Sequence, residues 1–531
     1  MAAPHEEEEI RGRTQQAPLA SQRAKEQGQS QQGRVAKWFP LGAKEGFNQW
    51  WAGTSPMATE HRVLSFIPHL QKPPTQTQSG SAPVSAVPSA ADLTAPPRTS
   101  EAHETTSILT DPYGPRQWNS EMVALSGKDR ALNEFSVQRV GEAAEHHLVM
   151  LHGYGAGLGF FYRNYEALSR AAGWKVYALD LLGMGRSSRP AFKIHAKDKE
   201  GKITEAENWF IDALEEWRIK RGLERFTLLG HSLGGYLAVA YALKYPGRLN
   251  KLILASPVGI PEDPYAVNEA MPEPQESTMG NEFTQDAAAT TKDNNNFMKQ
   301  RDGAKAKADD QKEPPRRRLP GWVAYVWEAN VISPFSLVRW SGPLGPRLVS
   351  GWTTRRFSHL PEEEAQALHD YSYSIFRQRG SSEYALGYLL APGAFARNPL
   401  IRRIQGVGRQ WIQPHDGAIV DGDVRPKPSS ASQDAAPRAG QRENGIPIVF
   451  MYGEVDWMDV AGGFASEEKI KQERLRILEK ATAEERQKDN GEAKVVIINK
   501  AGHHVYLDGW EQFNRVMLEE MADVKRREAR R

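Results

Sequence analysis

Short apolar runs alternate with segments of three-four spacing along two stretches of this chain. Residues 122–125 and 133–137 read as a strand pair around the turn Ser126-Gly127-Lys128-Asp129, and residues 148–151 as the next strand. Residues 160–171 have helical spacing, and 176–180 return to a buried strand. Ala206, Trp209, Phe210, Ala213, Leu214 and Trp217 then recur on one apolar helical face, with Thr204 and Glu207 spaced as its capping box. Residues 226–229 form another strand, the Ala- and Leu-rich run 237–243 a helix, and 252–256 a further strand. The second stretch supplies strands at 448–452 and 495–498, with a charged helix at 466–487 between them. Strands alternating with helices imply an α/β fold: a mostly parallel central sheet with helices on both faces, entered through an antiparallel hairpin.

The polar tracts divide the chain. Residues 1–36 are Gln-rich and read as a disordered N-terminal segment, because they hold too little apolar surface to offset the entropy of ordering. Residues 37–68 are aromatic, with Trp38, Phe39, Phe47, Trp50 and Trp51 among Lys44 and Arg62; packing on the domain is preferred over a place in a membrane interface. Residues 69–117 are a linker by composition, and 118–261 the first part of the core. A disordered insertion is expected at 262–318, ending in Arg316, Arg317 and Arg318. Residues 319–405 read as a helical cap, with Trp322, Tyr325, Trp327, Phe335, Trp340 and Trp352 and a helix near 362–377. A disordered loop at 406–444 precedes the second part of the core, 445–531.

Composition narrows the classes. With 531 residues, a mean hydropathy of -0.61 and 39% hydrophobic residues, the chain reads as one large domain with polar insertions. A formal charge of +2 gives no basic field for nucleic acid. The absence of cysteine excludes disulfides, thiolate metal sites and a Cys nucleophile, and neither metal nor cofactor is expected. No apolar run approaches the roughly 18 residues that span a bilayer, so membrane association is expected to be peripheral. The N-terminus, with Glu6 to Glu9, lacks the apolar region of a secretory signal and makes a poor transit peptide.

The chemistry centres on Gly230-His231-Ser232-Leu233-Gly234, a nucleophile elbow between strand and helix that lifts the Ser232 hydroxyl to the top of the sheet. A serine needs a base, and the base an acid that fixes its tautomer. Asp456 and His503 each follow a strand, giving the chain order Ser, Asp, His of an α/β-hydrolase fold. Asp459 competes for the acid and, less well, His504 for the base; His231 reads as a packed histidine beside the serine. The oxyanion hole falls to the backbone N–H groups of Leu233 and Tyr154, the latter in the loop His152-Gly153-Tyr154-Gly155-Ala156-Gly157. That loop lacks the endings of a nucleotide-binding motif.

The elbow, the His152 to Gly159 loop, the stretch from Asp180 to Pro190 with Gly183, Gly185 and Arg186, and Leu243-Lys244-Tyr245-Pro246-Gly247-Arg248 together resemble one α/β-hydrolase subfamily. It contains the fungal mitochondrial cardiolipin-specific deacylase, the animal Chanarin-Dorfman lipase co-activator and an N-acyl phospholipid lipase. The resemblance implies a serine phospholipase that deacylates glycerophospholipids, with cardiolipin as the expected substrate, acting at a membrane or lipid surface and without a nucleic-acid partner. It implies the mitochondrial inner membrane as location, with cytoplasm or lipid droplet as the alternative. His503 and Asp508 match the family's His-x4-Asp motif, linked there to acyl transfer, which makes an acyl-CoA-dependent lysophosphatidic acid acyltransferase the alternative. A non-catalytic co-activator is the third reading, disfavoured because Ser232 stands where the animal co-activator has Asn.

Overall fold

The computed structural model describes residues 40–68, 104–105, 113–262, 333–391, 394–412 and 441–530. The expected segments 1–36 and 263–318, most of the linker, residues 413–440, and Trp38, Phe39, Trp322, Tyr325 and Trp327 lie outside them.

The apolar runs form one sheet: β1 Arg116–Ala124, β2 Ala131–Arg139, β3 His146–Leu151, β4 Trp174–Leu179, β5 Phe226–His231, β6 Leu249–Ala255, β7 Pro447–Gly453 and β8 Glu492–Ile498. Their spatial order is β1-β2-β4-β3-β5-β6-β7-β8, with the two-residue strand Glu104–Thr105 outside β1. β1 and β2 are antiparallel, β2 meets β4 antiparallel, and every pairing from β4 to β8 is parallel. β3 and β5 to β7 are apolar almost throughout because helices cover both faces. Loops at the C-terminal ends of parallel strands collect at one rim, the usual place for a site.

The helices longer than one turn are α1 Ala43–Ala52, α2 Pro56–Leu64, α3 Tyr162–Leu168, α4 Lys199–Lys220, α5 Leu233–Lys244, α6 Pro334–Trp340, α7 Gly345–Phe357, α8 Glu362–Phe376, α9 Val460–Lys480, α10 Ala483–Lys488 and α11 Trp510–Glu528, with single turns at Leu386–Leu389 and Val505–Asp508. Several differ from the periodicity. β1 begins inside the expected linker, because the Arg116 guanidinium is fully buried and donates to the Glu166 carboxylate and to Ser169 Oγ. α4 starts at Lys199, ahead of the expected capping box, since the Asp198 carboxylate accepts Gly201 N–H at 2.8 Å. The expected helix 466–487 begins earlier, at Val460, and breaks where Thr482 caps α10. The helical spacing of 160–171 resolves into a 3-10 turn, Leu158–Phe161, followed by α3.

Between β6 and β7, α6, α7 and α8, followed by short turns from Ser382–Ala385 to Ile404–Gly406, make up the described part of the cap. α2 lies against α8, where Thr59 Oγ1 and Ser374 Oγ are 2.7 Å apart. α1 lies along α7, with Gly46 against Arg347, and leaves Phe47 and Trp51 46% and 75% exposed.

Candidate active site

β5 ends at His231, and the chain must reverse within one residue to begin α5. Ser232 absorbs that reversal at φ 53°, a left-handed conformation that an L residue adopts only under constraint. The flanking glycines permit it. A Cβ at Gly230 would collide with the backbone carbonyl of Gly234 and lie 2.7 Å from Gly235 N; one at Gly234 would lie 2.7 Å from the carbonyl oxygens of Leu151 and His152. Ser232 caps α5, and Leu233 N–H, in its first turn, has no acceptor within the helix. The positive helix end thus faces the place where negative charge would develop on a carbonyl oxygen.

Asp456 and His503 come from the loops after β7 and β8. Their side chains are fully buried, with His503 Nδ1 3.3 Å from Asp456 Oδ1. Asp456 also accepts Met458 N–H at 3.0 Å and Ser256 Oγ–H at 2.5 Å. Burial pushes its carboxyl up, but hydrogen bonds from His503, Ser256 and Met458 outweigh that and hold it below the usual carboxylate range. Ser256 follows β6, at φ 45°, another strained serine placed to hold the acid. Asp459 stands instead at the N-terminus of α9, half-buried.

His231 links this pair to the elbow. Its Nε2 donates to the His503 carbonyl at 3.1 Å, and the two rings are 4.7 Å apart. Burial, then the neighbouring histidine, keeps His231 well below its ordinary pKa, so it stays neutral and orients the His503 backbone. His504 faces away, its Nδ1 accepting Arg356 Nε–H at 3.0 Å. Asp508 binds Arg356 and the Gly502 backbone and does not hydrogen-bond the His503 ring.

The loop after β3 lies against the elbow: a Cβ on Gly153 would stand 2.9 Å from Ser232 Cβ. Tyr154, next along, is buried and stacks on Phe335 of α6, ring centroids 5.1 Å apart. His152 Nδ1 donates to Gly153 O at 2.7 Å and Nε2 accepts Leu181 N–H at 3.0 Å, which fixes a neutral tautomer; burial lowers its pKa to about 4. Its 3.7 Å approach to Asp180 is therefore not an ion pair.

Sequence reasoning missed what holds this loop. Asp180 accepts Leu158 N–H and Arg186 N–H, both at 2.7 Å, and Asn133 Nδ2–H at 2.8 Å. Asn133 also donates to Glu60 of α2 at 3.0 Å, and Arg186 pairs with Glu60 at 2.5 Å. The Tyr371 hydroxyl of α8 donates to Glu60 at 3.4 Å. Burial raises Glu60 to about 7, opposed by Arg186 and reinforced by Asp180. No local signal marked the pair, since Glu60 stands among Thr59, His61 and Arg62, and Arg186 among Gly185, Ser187 and Ser188.

Among the described residues no cluster of His, Asp and Glu has the makings of a metal site, and no helix is long and apolar enough to cross a membrane. The arrangement of a strained serine, a carboxylate-held imidazole and a helix N-terminus suits acyl transfer through a covalent serine ester.

Residues 146–509 match the family model described as alpha/beta hydrolase fold. A 1-acylglycerol-3-phosphate O-acyltransferase of Arabidopsis thaliana is 31% identical over 377 residues, 70% of this chain and 65% of that protein, so the chain spans just under two thirds of its length. The human 1-acylglycerol-3-phosphate O-acyltransferase ABHD5 is 29% identical over 70% of this chain and 76% of its own. A human (lyso)-N-acylphosphatidylethanolamine lipase is 28% identical over 71% of this chain and 79% of its own.

Proposed function

The chain belongs to the alpha/beta-hydrolase family, and from that premise we propose that it is a serine phospholipase that deacylates glycerophospholipids, with cardiolipin as the preferred substrate. Relatives named for lysophospholipid acylation and phospholipid hydrolysis support a lipid ester or amide as substrate class. The observation that carries the reading is Ser232, held at φ 53° on a helix N-terminus, with the Asp456–His503 pair tied to the elbow through His231.

In this mechanism Asp456 accepts a hydrogen bond from His503 Nδ1–H, which leaves the unprotonated Nε2 as base. Ser232 Oγ attacks the ester carbonyl while His503 takes its proton. Leu233 and Tyr154 N–H groups receive the oxyanion. Collapse expels the lysolipid alkoxide, which recovers the proton from His503, and leaves an acyl-Ser232 ester. Water, deprotonated by His503, then releases the fatty acid.

A second reading follows from the relatives named acyltransferases: acyl-CoA forms the same acyl-enzyme and a lysophosphatidic acid hydroxyl replaces water. For the lipid surface, exposed Phe47, Trp51, Leu337, Trp340 and Leu344 on adjoining elements, with Lys44 on α1, support peripheral docking to an anionic bilayer. The compartment proposed is the mitochondrial inner membrane, which rests on the resemblance alone and is tested by fractionation.

The test is Ser232→Ala with labelled cardiolipin in one arm and lysophosphatidic acid plus acyl-CoA in the other. Hydrolysis should fall at least about 10³-fold, and a fluorophosphonate adduct should map to Ser232 in the wild type. Full activity in Ser232→Ala would contradict both enzymatic readings, and no turnover by the wild type in either arm would leave the co-activator.

A further inference from the structure

The end of the His-x4-Asp stretch does something other than face the substrate. The Asp508 carboxylate is 4% exposed, and its Oδ2 accepts the N–H of Gly502, the residue before His503, at 3.1 Å. Its Oδ1 accepts Arg356 Nη1–H at 2.8 Å, with His359 Nε2 3.5 Å away. Arg356 comes from the last turn of α7, in the cap, and is itself 3% exposed. The same guanidinium donates Nε–H to His504 Nδ1 at 3.0 Å. Burial first, and Arg356 next, hold His504 well below its ordinary pKa, so its neutral Nδ1 is available as acceptor. His503 is thus bracketed: Gly502 before it and His504 after it are both tied to one ion pair whose cation belongs to the cap.

Resting on the catalytic role of His503 proposed above, we propose that Arg356 and Asp508 are positioning residues, a clamp carried by the cap that fixes the turn presenting the His503 imidazole. Asp508 then acts through the turn and takes no proton from substrate, in hydrolysis or in acyl transfer. A planar guanidinium is suited to this, because its fork reaches a carboxylate and an imidazole together, whereas an ammonium is a point charge. At the other end of α7, Arg347 Nε donates to the Leu41 carbonyl at 3.0 Å and packs on Gly46 of α1. One helix therefore runs from the exposed aromatic face to the histidine turn.

The experiment compares Arg356→Lys, Arg356→Gln, Asp508→Asn and the Gln/Asn double variant in the full chain. It reads the rate of fluorophosphonate labelling at Ser232, kcat and KM for phospholipid hydrolysis, and transfer from acyl-CoA to lysophosphatidic acid, with circular dichroism as the control for folding. Each single neutral variant should slow labelling and kcat of both reactions by about 30-fold with KM within about 3-fold, and the double variant should be within about 3-fold of the worse single one. Arg356→Lys, which keeps the charge and decides the matter if the neutral variants unfold, should lose about 10-fold in labelling. Wild-type labelling in Arg356→Lys, multiplicative losses in the double variant, or Asp508→Asn abolishing transfer alone while labelling persists would each overturn the clamp. Failure of the wild type to label at Ser232 would overturn the catalytic reading instead.

Discussion

The elbow and the cap above it are built on opposite terms. From residue 226 to 242 every position is buried, and glycines are packed so closely that a single methyl group has nowhere to go. In the cap, short helices joined by turns leave Leu337 59%, Trp340 67% and Leu344 56% exposed, although Arg356 and Tyr371 reach down into the core. The contrast separates two demands. Proton transfer needs atoms fixed within fractions of an ångström, which close packing provides. The exposed apolar side chains of the cap suit the lipid-surface docking proposed above.

The sharpest way to break the contrast is one methyl group on each side of it. Gly230→Ala should lose on the order of 4 kcal/mol or the fold itself, because the obstruction is backbone. Gly342→Ala, between α6 and α7 at φ 53° with nothing within 4 Å of its added carbon, should lose only about 1 kcal/mol. Denaturant unfolding of the pair measures both, and equal losses would dissolve the distinction.

A smaller effect probes the seam, where Glu60 meets Arg186, Asp180, Asn133 and Tyr371. Because its folded pKa of about 7 lies above the ordinary 4.5, the neutral carboxyl is the favoured form in the fold. This group's contribution is complete below about pH 4.5 and falls as pH rises through about 7, by on the order of 3 kcal/mol. In Glu60→Gln that part of the pH dependence should vanish, so unfolding at pH 5 and pH 8 should differ less than in the wild type. An unchanged difference would assign the titration to another group.

Smallest is the surface itself. Trp51→Ser and Trp340→Ser should each weaken binding to anionic vesicles by about tenfold, or about 1.4 kcal/mol, and leave turnover of a water-soluble ester unchanged. A matching loss on the soluble ester would show that these rings belong to the interior chemistry.

The same contrast explains what was readable in the chain. The parallel strands announced themselves because each holds a contiguous apolar run, whereas β1 and β2 mix polar with apolar residues and were legible only in part; the reversal at Ser232 was legible because its flanking glycines are local in sequence. The positions of Asp456 and His503 followed from strand ends. Asp508 was singled out by the family resemblance, yet its partner Arg356 lies 152 residues away, and nothing in a run of Trp352, Thr353, Thr354 and Arg355 marks that cation as buried. Ser256 was read as a strand terminus; that its hydroxyl holds the acid 200 residues later is a tertiary fact. The helix start at Asp198 was misplaced because Thr204, with Glu207 three residues on, sat nearby, and the start at Asp459 because Gly462 and Gly463 precede the charged run.

The carboxylate of α2 has its cation 126 residues downstream and its tyrosine partner 311 residues downstream. On the ribosome, that helix is made before any of these partners exists to receive its carboxyl. A fragment cut to begin at β1 would keep β1 to β8 yet strand Arg186 beside a vacated seat, so a unit that keeps this seam starts ahead of β1.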